Sequence, residues 1–86
     1  MAERTKEQIR QTVFDALAAI APEVEPATIE PGKPLRDQVD LDSMDWLNVI
    51  IRLHEILAID IPEADYAELA TLDSTVDYLY RHRAGK

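Results

Sequence analysis

Ser43 stands between two carboxylates in the run Asp40-Leu41-Asp42-Ser43-Met44-Asp45-Trp46-Leu47-Asn48, where a polar, proline-rich stretch gives way to a long apolar helical pattern. A serine there presents a primary hydroxyl at a helix N-terminus, where backbone N–H groups without helical partners and the macrodipole favour a phosphate. The chemistry that suits this position is attachment of a phosphate-linked group. A serine at a helix start is most often an N-cap, but Asp42, one position earlier, can do that work instead.

Other chemistries fit these residues poorly. There is no Gly-x-Ser-x-Gly elbow, and the only histidines are His54, within the same helical pattern, and His82 in the tail. Neither is placed by local sequence to serve Ser43 as a base, so no catalytic residue is expected. Asp37, Asp40, Asp42 and Asp45 lack the glycine and terminal glutamate of a calcium loop. They read as a solvated acidic patch and not as a metal site. His54 and Glu55 are adjacent, hence on different helical faces, and make a poor ligand pair.

The elements that must position Ser43 follow from capping residues and periodicity. Thr5 with Gln8 forms a capping-box pattern, and Ile9, Val13, Leu17 and Ile20 recur at helical spacing, predicting a first helix to about Ile20. Pro22, Pro26, Pro31 and Pro34 with Gly32 then deny regular helix to the stretch before Asp42. Such a long loop must pack or function, and Ile29, Leu35, Val39 and Leu41 are its expected anchors. A second helix is predicted over Ser43–Leu57, with Asp42 as N-cap and Asp45 adding charge in the first turn. A short third helix follows Pro62, over Glu63–Leu69. Thr71 caps a fourth that runs to about Arg83, with Leu72, Val76 and Leu79 inward, Tyr78 and Tyr80 flanking, and Gly85 beyond its end. The fold class is all-α, four helices with a long loop between the first two and a short third.

Bulk composition agrees. The chain has 86 residues, enough for one domain, and 47% hydrophobic residues, which supports a folded globule. Nine basic against seventeen acidic residues give a formal net charge of −8, which disfavours nucleic acid and anionic lipid and favours basic protein partners. The absence of cysteine excludes a disulfide framework, a thiolate nucleophile and a zinc–thiolate site. No apolar run approaches the roughly 18 residues of a membrane span, and the opening Met-Ala-Glu-Arg-Thr-Lys-Glu has no apolar h-region. A cytoplasmic monomer is the expectation.

The second helix carries two apolar stripes. At 100° per residue from Met44, the residues Trp46, Val49, Ile50, Leu53, Ile56 and Leu57 fall between about 120° and 240° and form the core face. Met44, Leu47 and Ile51 fall on another face. They are either covered by the long loop or another helix, or left as a small patch beside Ser43 with Asp42, Asp45 and Glu55 as an acidic rim. An apolar centre with a charged rim suits partner docking.

With these residues in place, the chain resembles the acyl carrier proteins, which share their fold with peptidyl carrier domains. The likeness spans nearly the whole chain: a first helix, a long loop, Asp42-Ser43-Met44-Asp45 opening the second helix, the Ile61-Pro62 step, and Asp77-Tyr78-Leu79 in the last helix. It implies a non-catalytic carrier with a 4′-phosphopantetheine on Ser43, joined by a phosphodiester and installed from coenzyme A by a phosphopantetheinyl transferase. The thiol of the arm would hold acyl groups as thioesters. Partner enzymes that transfer or activate acyl groups, with basic docking surfaces, would meet Asp42, Met44, Asp45, Leu47, Ile51 and Glu55. The pathway implied is fatty-acid, specialised lipid or polyketide synthesis; an aminoacyl or peptidyl carrier and a helical adaptor without the arm are the alternatives. Some positions depart from the family pattern. Asp40 stands where many members have glycine, Asn48, Arg52 and His54 make the second helix less acidic, and Trp46 is bulky where smaller residues are usual. The less acidic face suggests a dedicated set of partners, and Trp46 suggests a reshaped acyl pocket.

Overall fold

A computed structural model describes residues 5–82. Helix α1 spans Lys6–Ile20, α2 is a single turn over Leu35–Gln38, α3 spans Ser43–Leu57 and α4 spans Leu72–Arg81. Two 3₁₀ helices, Pro26–Thr28 and Glu63–Leu69, complete the described elements. Helix α1 packs on both α3 and α4, and the longer 3₁₀ helix packs on α4.

The helix starts obey their capping chemistry. Thr5 and Gln8 exchange bonds in a reciprocal box, with the Gln8 N–H donating to Thr5 Oγ1 at 3.1 Å and the Thr5 N–H to Gln8 Oε1 at 2.9 Å. Thr71 caps α4 in the same way, with Ser74 as its reciprocal partner. Helix α3 ends differently: Ala58 closes it at φ 56°, ψ 40°, the left-handed conformation that usually calls for glycine. The His54 Nδ1–H donates to the Ile59 carbonyl at 2.7 Å and ties this turn back to the helix.

The predicted inward stripes meet in one core. Ile9, Val13 and Leu17 of α1, Val49, Ile50, Leu53 and Leu57 of α3, and Leu72, Val76 and Leu79 of α4 are all buried, and Ile20 packs against them half-buried. Each such aliphatic side chain contributes about 1.5–3 kcal/mol by leaving water. Tyr78, expected to flank this stripe, is instead among the most buried side chains. Burial of a tyrosine requires a partner for its hydroxyl, and Asp65 Oδ2 supplies one at 2.6 Å. At the surface, Lys6 Nζ reaches Asp77 Oδ1 at 2.9 Å and holds that carboxyl below its usual range.

Three expectations are corrected, and a fourth, the short third helix over Glu63–Leu69, is met with its helix type now specified. The proline-rich stretch does contain helix: Pro34 precedes the turn Leu35–Gln38 and Pro26 opens the short 3₁₀ helix, positions where a missing N–H costs nothing. The third helix is 3₁₀, and its first bond runs from the Asp65 N–H to the Pro62 carbonyl at 2.9 Å. Ile56 is 44% exposed and not part of the core, because it lies at the edge of the apolar arc. The last helix ends at Arg81 with His82 as its cap; Arg83 and Gly85 lie outside the described residues.

The long loop is tied down at several points. Ile29, Leu35, Val39 and Leu41 are buried as expected. The Leu35 N–H donates to the Ala70 carbonyl at 2.8 Å, and the Asp73 N–H to the Pro31 carbonyl at 3.0 Å. Gln38 works from within the loop: its Oε1 accepts from the Glu30 N–H at 2.6 Å, and its Nε2 donates to the carbonyls of Glu30 and Lys33 at 2.9 and 3.0 Å. A loop so bound can present α2 to the head of α3 in a defined place.

Candidate functional site

Helix α3 begins with Asp42 as its N-cap. Asp42 Oδ1 accepts from the Asp45 N–H at 2.8 Å, and the Asp42 carbonyl accepts from the Trp46 N–H at 2.9 Å. Ser43 is therefore the first residue of the helix and takes no part in capping it. Its hydroxyl is exposed and meets the guanidinium of Arg36, with Nη2 at 3.5 Å from Oγ. Asp45, half-buried, lies in the first turn and leaves the head of α3 flanked by carboxylates.

Neither histidine is arranged to activate this serine. His54 directs Nδ1 to the Ile59 carbonyl at the opposite end of α3, and His82 stacks on Tyr78 with ring centroids 4.2 Å apart. Among the described residues, no group of three or more histidine, aspartate or glutamate side chains could hold a metal ion.

The other residues singled out from sequence fall into two sets. Met44 and Ile51 are 67% and 43% exposed, and Asp42 and Glu55 are exposed at the same helix surface. Leu47 is half-buried and turns into a groove of about 400 Å3 that it shares with Arg36, Ser43, Trp46, Ile50 and Tyr66. Beyond it, Ile51 lines a depression of about 350 Å3 with His54, Asp60, Ile61 and Tyr66.

Sequence reasoning missed Arg36 and Tyr66, and helical periodicity placed Trp46 on the core face. Trp46 is half-buried: it packs against the core and also walls the groove. The one available signal for Arg36 was a cation seven residues before Ser43. Spacing in a loop carries no directional information, so only the path fixed by Leu35 and Gln38 brings Arg36 to the serine.

An exposed hydroxyl at a helix N-terminus, a guanidinium at its side and an adjoining groove can hold a covalent phosphate-linked group. This is the arrangement of a carrier protein. Residues 8–79 match the family model described as the phosphopantetheine attachment site, and the chain belongs to that family, the acyl carrier proteins. An acyl carrier protein from Rubrobacter xylanophilus is 25% identical over 81 residues, covering 94% of each chain. The meromycolate extension acyl carrier protein of Mycolicibacterium aurum is 29% identical over 75 residues, covering 84% of this chain and 77% of that one. The solved structure of the acyl carrier protein from Enterococcus faecalis shares the fold, with a TM-score of 0.77 over 92% of this chain and 99% of that chain at 19% identity. The group bound by the family is 4′-phosphopantetheine. The head of α3 fits it, since Ser43 Oγ is exposed and Arg36 brings positive charge to its side.

Proposed function

We propose that Ser43 is the attachment residue and that the protein presents acyl groups to enzymes of fatty-acid or related lipid synthesis. The observation that carries this reading is the division of labour at the start of α3: Asp42 caps the helix and leaves the Ser43 hydroxyl exposed and out of the cap. Attachment replaces the Ser43 O–H bond by an O–P bond to the phosphopantetheine half of coenzyme A. The P–O bond to the adenosine bisphosphate half breaks, that half departs with the bridging oxygen, and the serine proton is released to a base of the transferase or to water. The thiol of the bound group holds acyl chains as thioesters. Relatives named for meromycolate extension support a lipid-building pathway.

The chain's own residues recruit. A net charge of −8 draws basic partner surfaces to Asp42, Asp45 and Glu55, while Met44, Leu47 and Ile51 supply apolar contact. The partners of this reading are a phosphopantetheinyl transferase and enzymes that transfer or activate acyl groups. Intact mass after incubation with coenzyme A and a broad-specificity phosphopantetheinyl transferase tests the attachment. The wild-type chain gains the mass of one arm and Ser43→Ala gains none. No gain in the wild type, or an equal gain in Ser43→Ala, overturns the assignment.

A further inference from the structure

Arg36 has no evident structural task. Among the described residues Arg36, like Arg10 and Arg52, forms no ion pair, although the chain carries seventeen acidic residues; of these three only Arg36 lies beside Ser43. The anchoring of α2 is done by its neighbours: Leu35 is fully buried, and Gln38 binds the backbone of the loop on both sides. Among the described residues the one polar contact of Arg36 is the exposed Ser43 hydroxyl, at 3.5 Å. That is the long limit of a hydrogen bond and gives a neutral acceptor little reason to hold a guanidinium.

We propose that Arg36 is a positioning residue for the phosphodiester formed on Ser43. This rests on Ser43 being the attachment residue. Esterification moves the acceptor outward from Oγ and makes it an anion with two unbridged oxygens. A guanidinium already beside Oγ then meets an oxygen at the ordinary charge-assisted distance of about 2.7–2.9 Å, and its planar fork matches the phosphate. The electrostatics point the same way. A phosphodiester at Ser43 adds negative charge between Asp42 and Asp45, and like charges gathered at one helix start repel. Arg36 offsets that repulsion and draws the phosphodiester toward α2. On that side lies the groove walled by Trp46, Leu47 and Tyr66, which Arg36 and Ser43 both line; Glu63 lines it too, so Arg36 is the cation that makes this side favourable for a phosphodiester. Arg36 thereby favours one exit direction for the arm.

The test compares apo and holo protein labelled with 15N, with loading at Ser43 verified by the mass of the modified peptide. In the wild-type protein, exchange of the Arg36 guanidinium N–H protons with water slows about tenfold on loading, as a charge-assisted bond requires. The 31P resonance of the holo protein moves in Arg36→Gln and is partly restored in Arg36→Lys, which keeps the charge and loses the fork. A merely structural role for Arg36 changes neither the loading-dependent exchange nor the phosphorus signal. Unchanged Arg36 exchange in fully loaded wild-type protein overturns the inference, and this comparison needs no variant to fold. Absence of any mass gain at Ser43 is a different result: it overturns the attachment itself, and the inference with it.

Discussion

The hydroxyl of Tyr78, a side chain only 1% exposed, donates a 2.6 Å hydrogen bond to Asp65 Oδ2 and so joins the middle of α4 to the 3₁₀ helix Glu63–Leu69. Burial first, and the neighbouring Asp65 second, push the phenol from its ordinary 10.0 up to about 12. The neutral phenol is thus favoured in the folded state. Its contribution is fully present below the unfolded value near pH 10 and is lost as the pH rises from there to about 12. Tyr78→Phe should cost about 1.5–3 kcal/mol at neutral pH, the range for a bond to a charged acceptor. Urea unfolding from pH 7 upward checks both points: the wild type loses stability between pH 10 and 12, and the variant lacks that component of the loss.

Ala58 holds φ at 56° where α3 ends. A side chain in this region crowds the following carbonyl, at a cost of roughly 1–2 kcal/mol that glycine avoids. Ala58→Gly should therefore stabilise the protein by about 0.5–1 kcal/mol, part of the gain being offset by the greater freedom of glycine in the unfolded chain. A rise in the urea midpoint at constant slope is the expected result.

Gln38 bonds four backbone groups of the loop that carries Arg36, the fourth being the Pro34 carbonyl at a long 3.4 Å. Gln38→Ala leaves the Glu30 N–H and the Glu30 and Lys33 carbonyls to water, and should cost about 1–3 kcal/mol. Hydrogen exchange localises the effect: the Glu30 amide loses protection in the variant, while amides in the middle of α1 keep theirs.

Ile51 and Leu53 lie two residues apart on α3 and should separate docking from folding. Leu53 is fully buried, so Leu53→Ala removes core packing at about 2–5 kcal/mol. Ile51 is 43% exposed, so Ile51→Ser should change stability by no more than about 0.5 kcal/mol. If Ile51 belongs to the docking face, the same substitution lowers kcat/KM for loading by a phosphopantetheinyl transferase about tenfold. Denaturation curves and loading rates on both variants test the separation, and raised salt should slow wild-type loading by screening the acidic rim.

The sequence alone determined the features whose causes are local. Thr5, Asp42 and Thr71 start helices because their side-chain oxygens reach backbone N–H groups two or three residues on, whatever lies elsewhere in the chain. The buried stripes of α1, α3 and α4 follow from a 3.6-residue period, and Ser43 stood out because Asp42 could take its capping role. Only the tertiary structure decided what depends on the path of a loop or the reach of a neighbouring element. Ile56 fits the periodic pattern and is exposed, since among the described residues no packed element covers the edge of the arc. Tyr78 could be buried because Asp65, thirteen residues away, meets its hydroxyl. Arg36 stands beside Ser43 because Leu35 and Gln38 fix the turn that carries it. Local bonding announces where a helix begins, whereas a contact across a loop is set by the summed packing of residues distant in sequence, which no spacing rule encodes.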